Sequence, residues 1–483
     1  MDKDLKHKTV SGVIWVTVQR FGSIAITFIA NVILARLLTP TDFGCIGMLM
    51  IFIGLSNSFI DGGFGSALIQ KKKPTEADYS TVFYWNIFLS VVLYWVLYFS
   101  APSISTFYRT PLLTSVLRVE GVVLILNALG IIQLNTLRKY LNFKKLAIVE
   151  VASAIVSLAI AIVAAYKGLG VWSLVIQQIA LSGFRTFLLW VINTWRPILV
   201  FSVKSFRELF NFGSFILLSN LFGALSNEVQ GLLVGRMFNP TIMGLYSQAM
   251  RLEASMATAV SGVVDQVTYP VMSSLQEERD KLIMAIKRFI QIPAYLCSFA
   301  VGLAIVLAKP IIILIYGDQW IAAVPYFQIL CVAALAVCLQ GSANNSIAAI
   351  GKSRVYFRWT IFKRTLTIVL AVVGILFGKM YGLLWMCVLG AWCVYIINAY
   401  LVHKHVGYSF WSQIMDIVPF MLLASADGLV VYFLGKVLPF SEMAVSGIQL
   451  LVYSILFIAI SRLLRIKTYF YIKGLLKEKL ARK

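Results

Sequence analysis

Apolar residues run through this chain in blocks of about twenty or more, and the polar residues inside those blocks recur at helical spacing. A helix that crosses a hydrocarbon core needs about 20 predominantly apolar residues. Seven stretches in the first half meet that length, roughly 11–37, 44–68, 81–103, 115–137, 146–166, 171–193 and 211–236. The second half adds roughly 243–268, 287–308, 325–350, 359–378, 382–402, 412–435 and 444–463. The pattern predicts an all-α polytopic membrane protein with about 14 transmembrane helices. No connection is long enough to form a separate soluble domain. The largest, about 194–210 and 269–286, carry amphipathic pieces such as Lys204–Phe210 expected on the cytoplasmic surface, and Arg465–Lys483 reads the same way.

Polar stripes distinguish some spans from others. In the first, Arg20, Ser23, Thr27 and Asn31 step by three, four and four, which places them on one helix face. Small polar residues alone would suit a helix–helix contact. A charge at membrane depth costs about 2.5–3.5 kcal/mol, so Arg20 turns the stripe into the expected wall of a wet cavity. Span eight carries the densest stripe, Ser247, Arg251, Ser255, Thr258, Gly262 and Asp265. Span seven offers Asn220, Gly223, Asn227 and Gln230 with Glu228 beside them, and span two offers Ser58 and Asp61 among glycines. Span six adds Gln178, Ser182 and Arg185, and span ten Gln340 and Asn344. Spans one, two, seven and eight are therefore expected to line a central cavity. It would hold the cations Arg20, Arg185 and Arg251 and the acids Asp61, Glu228, Glu253 and Asp265. Structural ion pairing of Arg251 with Glu253 or Glu228 is the competing reading.

An internal repeat orders these spans. Leu34–Gly44 aligns without a gap with Val234–Gly244, 200 residues on, and the arginine, proline, threonine and glycine match. A fainter echo pairs Lys167–Gly170 with Lys379–Gly382. Each repeat holds six helices, and an even number preserves orientation. The repeats are therefore parallel, related by an axis along the membrane normal. The expected division is an N-terminal lobe at 1–200, a C-terminal lobe at 201–405, a further helix pair at 406–463 and a basic tail at 464–483. Pro40 and Pro240 stop the outgoing helices, and Thr41 or Asp42, and Thr241, are expected to cap the returning ones. Arg36 and Arg236 sit near the outer ends of their spans, where the helix dipole and lipid phosphates favour a cation. With Pro40, Asp42 and Pro240 they are also candidates for an external gate.

Composition agrees. Of 483 residues 60% are hydrophobic and only 13% charged, and the mean hydropathy is +0.86. The net charge of +22 could suggest nucleic acid, but its placement decides otherwise. With the N-terminus in the cytoplasm, 31 of the 42 Lys/Arg fall on the cytoplasmic side, eight outside, and three (Arg20, Arg185, Arg251) inside spans. This is the positive-inside pattern, with both termini cytoplasmic and no nucleic-acid partner implied. Residues 1–10 are charged and no cleavage site follows, so no secretory signal is read there. All six cysteines lie in apolar segments, which points to packing rather than to disulfides or a metal. Gly351-Lys352-Ser353 resembles the end of a phosphate-binding loop, but Ser346 stands where that loop needs glycine. His403-Lys404-His405 has no third ligand nearby. Neither a nucleophile elbow nor paired acids in outer loops are evident, so no enzyme activity, metal or cofactor is expected.

Three stretches carry a family resemblance: Ile33–Gly44 (ILARLLTPTDFG), Asp61–Lys72 (DGGFGSALIQKK) and Tyr316–Arg354, with YGDQW, AAVPYFQIL and AAIGKSR. They resemble the Wzx-type flippases of the multidrug/oligosaccharidyl-lipid/polysaccharide exporter superfamily, and most nearly the WzxC-like exporters of lipopolysaccharide or exopolysaccharide biosynthesis. The resemblance implies a V-shaped pair of six-helix lobes, alternating access, and residence in the bacterial cytoplasmic (inner) membrane. Related lipid II flippases place cavity arginines on the first and eighth spans, which correspond to Arg20 and Arg251. The last two spans resemble an extra pair that extends a lipid-tail groove there, although Asp427 is expected to interrupt the thirteenth. The implied substrate is a polyprenyl-diphosphate-linked oligosaccharide for O-antigen, capsule or exopolysaccharide. The implied partners are membrane lipid and other polysaccharide-assembly membrane proteins.

Elementary chemistry fits such a cargo. Guanidiniums donate several hydrogen bonds to a diphosphate and stay charged, and the stripes suit glycan hydroxyls. Moving two negative charges outward across ~100 mV, inside negative, yields about 4–5 kcal/mol. Coupling to H⁺ or Na⁺ through Asp61, Glu228, Glu253 or Asp265 stays open. An ion-coupled exporter of small cations is the alternative, and it makes the cavity acids matter more than the arginines. A membrane glycan polymerase or ligase would need substantial outer loops, and these are short.

Overall fold

The computed structural model describes Trp15 and residues 22–275, 278–349 and 353–481. The fold among the described residues is all-α, and the chain divides into two compact units, Met1–Gly244 and Leu245–Lys483. Arg20 lies outside the described residues.

The first unit comprises α1 (Gly22–Leu37), α2 (Pro40–Asp61), α3 (Phe64–Gln70), α4 (Glu76–Tyr108), α5 (Leu112–Glu120), α6 (Val122–Lys139), α7 (Phe143–Tyr166), α8 (Val171–Ile192) and α9 (Val203–Met237), with the first turn of α10 (Pro240–Ser274). Local chemistry sets the helix ends. Gly62 and Gly63 have φ of 53° and 71°, which only glycine adopts without strain, and they break α2 from α3. Thr75 and Asp78 form a capping box at the start of α4. Helices α6 and α8 are joined by side chains that reach across to backbone. Thr186 Oγ1 donates to the Leu126 carbonyl (2.7 Å), Trp190 Nε1 to Leu129 (2.9 Å) and Asn193 Nδ2 to Gln133 (3.1 Å). Such bonds carry helix association where no hydrophobic force between helices exists. At the Lys71 end, Lys139 Nζ donates to the carbonyls of Leu68 (2.8 Å), Ile69 (2.9 Å) and Lys71, closing the C-terminus of α3. Lys71 in turn pairs with Asp78 and with Glu208 of α9, both at 3.1 Å. Desolvation alone would lower the Lys71 ammonium's pKa, but these two carboxylates hold it above the ordinary lysine value.

The second unit holds the rest of α10, then α11 (Arg279–Val306), α12 (Ala308–Tyr316), a 3₁₀ turn (Asp318–Ala323), α13 (Val324–Ala349), α14 (Ser353–Val406), α15 (Phe410–Met415), α16 (Val418–Val437), α17 (Glu442–Leu463) and α18 (Lys467–Ala481). Its core gathers Ile286, Ile290, Leu339, Tyr453 and Phe457 from α11, α13 and α17. Helix α14 is kinked at Lys379 (φ 51°, ψ −137°). Its two limbs touch by backbone, since a Cβ on Gly382 would lie 2.3 Å from the Gly374 carbonyl oxygen. Beyond α14, Asp416 accepts from Gln291 Nε2 (2.9 Å) and from the Tyr408 hydroxyl, and pairs with Lys287 (3.1 Å), tying α11 to the start of the last helix pair.

Eleven helical stretches among the described residues are long and apolar enough to cross a membrane, against fourteen expected. Segments 359–378 and 382–402 are limbs of one kinked helix, Gly22–Leu37 is shorter, and the polar stripe of α10 leaves it outside the eleven. Two expectations are corrected. Asp427 does not interrupt its span: α16 runs on through it, and the carboxylate is 1% exposed, turned into the unit. Lys363, which charge counting assigned to the cytoplasmic side, falls within the apolar helical stretch Arg358–Val406 and is 7% exposed, buried against its neighbours rather than solvated.

Candidate functional site

The matched turns of the repeat meet each other. A Cβ on Gly44 would fall 1.7 Å from the Pro240 carbonyl oxygen, and one on Gly244 would fall 1.8 Å from that of Pro40. The Thr41 and Thr241 hydroxyls lie 2.9 Å apart, so one donates to the other. Residues 200 positions apart thus face each other reciprocally, as a two-fold axis between the turns requires. Only glycine permits this approach, because any side chain would occupy the partner's carbonyl. The capping expectation is corrected by two positions, from Thr41 to Thr39 and from Thr241 to Asn239. Thr39 is the N-cap of α2 and forms a capping box with Asp42, whose carboxylate accepts from the Thr39 amide (2.9 Å) and hydroxyl (2.7 Å). Asn239 Oδ1 accepts from the Ile242 amide (2.9 Å) and does the same for α10. Proline takes N1, where no N–H is needed, so the cap falls before it. Thr41 and Thr241 are left free to bond each other.

Within the first unit, helix α9 is held to its neighbours at both ends. Near the turns, a Cβ on Gly235 would come within 2.8 Å of the Tyr108 ring and 2.9 Å of Met48. Arg236 donates to the Phe107 carbonyl (2.8 Å) and lies over the Phe107 ring at 4.9 Å. Near the Lys71 loop, a Cβ on Gly63 would lie 2.3 Å from the Gly213 carbonyl oxygen. Phe64 packs there against Phe206 and Phe210.

The cations sort differently from one another. Arg251 is exposed, and Ser255 and Thr258, exposed on the same face of α10, continue its stripe; Ser255 Oγ donates to the Arg251 carbonyl at 2.8 Å. Arg185 pairs with Glu150 of α7 at 3.5 Å, a carboxylate that the stripes did not single out. On α1, Thr27 is exposed while Ser23 and Asn31 are half-buried; on α9, Asn220 is exposed while Glu228 and Gln230 are half-buried. Arg36 is exposed at the end of α1. Asp61 is half-buried close to Asn135 of α6: a Cβ on Gly65 would touch both. Glu253 is half-buried in α10, while the side chains of Asn227 and Asp265 lie outside the described residues.

Three features escaped the stripe reading: Glu150, the buried Lys363, and a cavity of about 460 Å³ in the second unit. The cavity is lined mainly by apolar groups, among them Val301, Gly302, Val332, Trp392, Leu429 and Tyr432. Asp427 is not among its lining residues. Apolar linings carry no polar mark in a sequence that is apolar throughout.

A family model described as polysaccharide biosynthesis protein matches residues 33–325, which include both matched turns. The chain belongs to that family. Among curated relatives, the teichuronic acid biosynthesis protein TuaB of Bacillus subtilis (strain 168) is 24% identical to this chain over 431 residues, covering 89% of each chain. The lipopolysaccharide biosynthesis protein WzxC of Escherichia coli (strain K12) is 24% identical over 449 residues, covering 90% of this chain and 89% of its own. Among solved structures, the lipid II flippase MurJ in an inward closed conformation shares the fold, with a TM-score of 0.70 at 15% identity over 94% of this chain and 99% of that one. The resemblance to Wzx-type flippases seen in three short stretches therefore extends over most of the chain.

Proposed function

We propose that this protein is a flippase that carries a polyprenyl-diphosphate-linked oligosaccharide outward across the bacterial cytoplasmic membrane for surface polysaccharide synthesis. The observation that carries the reading is the reciprocal contact of the two repeat turns. Transport by alternating access needs a closure that forms and breaks without chemistry. Two backbones meeting at Gly44·Pro240 and Gly244·Pro40, with one hydroxyl pair, form such a closure. In this reading residues 1–200 and 201–405 are the rocking lobes, 406–463 a lipid-facing addition, and 464–483 a basic segment on the membrane surface. Arg20 and Arg251 bind the diphosphate, and Ser23, Thr27, Asn31, Asn220, Asn227, Gln230, Ser255 and Thr258 the glycan.

Depth separates the two arginines. Counted along the spans read from the sequence, 11–37 and 243–268, at 1.5 Å per residue, Arg20 is expected roughly 12 Å from the cytoplasmic end of its span and Arg251 roughly 12 Å from the outer end of its own. Across a core of ~30 Å they sit on opposite sides of the midplane, so the diphosphate passes from one to the other. The protein binds and releases its cargo without covalent change. The names of TuaB and WzxC, each tied to a surface polymer, support the cargo class. Deleting the gene tests the reading: lipid-linked oligosaccharide should accumulate in the cytoplasmic leaflet, and purified protein in vesicles should move it across. Normal export in the deletion strain, with no accumulation, refutes it.

A further inference from the structure

Lys363 lies on the first limb of α14 inside a membrane-spanning stretch and is 7% exposed. Its ammonium donates to Asn344 Oδ1 on α13 (3.0 Å) and to Asn398 Oδ1 on the second limb of α14 (2.7 Å). No ion pair reaches it among the described residues. The sequence explains why: Val324–Ala349, Ser353–Val406 and Phe410–Met415 contain no Asp or Glu at all. Helix α13 carries no Lys, Arg or His either. The other cations on α14 are Arg354, Arg358, Arg364, Lys379 and, at its end, His403, Lys404 and His405. Tyr395, one turn before Asn398, has a buried hydroxyl without a partner.

A buried cation without a counter-charge is costly, and an ionisable group at membrane depth calls for a role. The donors and acceptors around Lys363 suggest which. A charged ammonium has three donors, and two meet amide oxygens. Asn398 is fully buried, yet its Nδ2 has no partner. A neutral amine has a lone pair, and turning the Asn398 amide over would aim that orphan Nδ2 at it. The charged form has two of its three donors met by Oδ1 acceptors, and the neutral form would have one of its two donors met by Asn344 Oδ1 and its lone pair met by the turned Asn398 amide. The same three side chains can therefore hold the group in either state.

We propose that Lys363 is a proton-binding site of this transporter, and that its charge sets how firmly the two limbs of α14 are stapled to each other and to α13. The step is Lys363–NH₃⁺ to Lys363–NH₂ plus H⁺, with the proton passing to water. The charged form makes charge-assisted bonds to both asparagines, and the neutral form makes weaker ones. The limbs are free to respond because they are joined through the kink at Lys379 and touch by backbone at Gly374 and Gly382. The coupling role rests on the transport reading above; proton binding and the limb response do not.

The experiment separates the two. Spin labels at Ile361 and Tyr400, which are 39% and 48% exposed on the two limbs, report their separation in full-length protein in lipid nanodiscs without glycan. Between about pH 5 and about pH 10, a range that spans the titration of histidine to lysine, the distance should change by about 1–2 Å, the scale of helix shifts in switching proteins. Lys363→Met should be fixed at the alkaline distance and Lys363→Arg at the acidic one. Asn398→Asp, which supplies a counter-charge and keeps the ammonium charged, should also be fixed at the acidic distance. A wild-type distance that is constant with pH, or a transition that persists in Lys363→Met, overturns the proposal whatever the cargo. A Lys363-dependent transition in a protein whose deletion leaves export unchanged would instead refute the transport reading alone.

Discussion

Replacing Gly44 by alanine should open the contact between the two repeat turns without unfolding the protein. The added methyl would sit 1.7 Å from the Pro240 carbonyl oxygen, where carbon and oxygen normally keep about 3.3–3.6 Å. The two turns must then separate by about 1.5–2 Å. Both contacting groups are backbone, so no side chain can rotate away. Overpacking of this kind costs about 1–3 kcal/mol, which corresponds to roughly a 5- to 150-fold shift in a two-state equilibrium. The cost falls on the closed contact alone, because the turns do not touch when apart. Cysteines at 41 and 241 in a cysteine-free background report the contact directly, since the native hydroxyls lie 2.9 Å apart and a disulfide forms only at close range. Oxidation should cross-link that pair readily and stop transport until a reductant is added. Adding Gly44→Ala or Gly244→Ala should slow cross-linking by the factor above. Gly54→Ala serves as the control, since a Cβ there meets nothing within 4 Å. Unchanged cross-linking in folded Gly44→Ala protein would refute the reasoning.

Further outcomes are expected. Arg20→Ala or Arg251→Ala should abolish glycan export per folded transporter, with lysine rescuing only in part because it lacks the guanidinium fork; full activity in the double alanine variant would end the diphosphate assignment. Arg185→Ala should lower the amount of folded protein, because it leaves Glu150 half-buried without its 3.5 Å partner, and adding Glu150→Gln should restore it; transport lost at normal protein levels would make Arg185 a cargo ligand instead. A cysteine at Lys72 should react with impermeant reagents only from the cytoplasmic side, and periplasmic labelling would invert the span map.

Much of the helix map was legible because a run of about twenty apolar residues has few structural alternatives in lipid. The partners within it were not. In a soluble helix one apolar stripe marks the buried face, but a membrane helix is apolar on both its buried and its lipid faces, so hydropathy does not show which way a residue turns. Asp427 read as an interruption, Lys363 as a cytoplasmic charge and Glu150 as nothing, because each depends on a neighbouring helix. The nearest of the Lys363 partners in sequence is Asn344, 19 residues away, and Asn398 is 35 away across a kink.

The glycine contacts show where sequence does reveal tertiary structure. Gly44 and Gly244 were visible beforehand as a matched pair, though not as a contact, because the repeat presents the same residue twice, at the same offset as the prolines they meet. Gly63 and Gly213 also meet by backbone, less tightly, with a Gly63 Cβ 2.3 Å from the Gly213 carbonyl oxygen, yet no repeat marked that contact. The repeat counterpart of Gly63 is Val263, so that contact is made once and not echoed. A contact on the pseudo-symmetry axis needs the same residue from both copies, and duplication preserves it in both. A contact off the axis is free to differ between the copies, which allows the Lys71 end to close by other means than the Gly44 end: Gly63 against Gly213, and Lys71 bound to Glu208. The Gly44 contact is therefore set by backbone shape and one neutral hydroxyl pair, while the Lys71 end also depends on charge. Salt should weaken closure at the Lys71 end and leave the Gly44 contact unaffected.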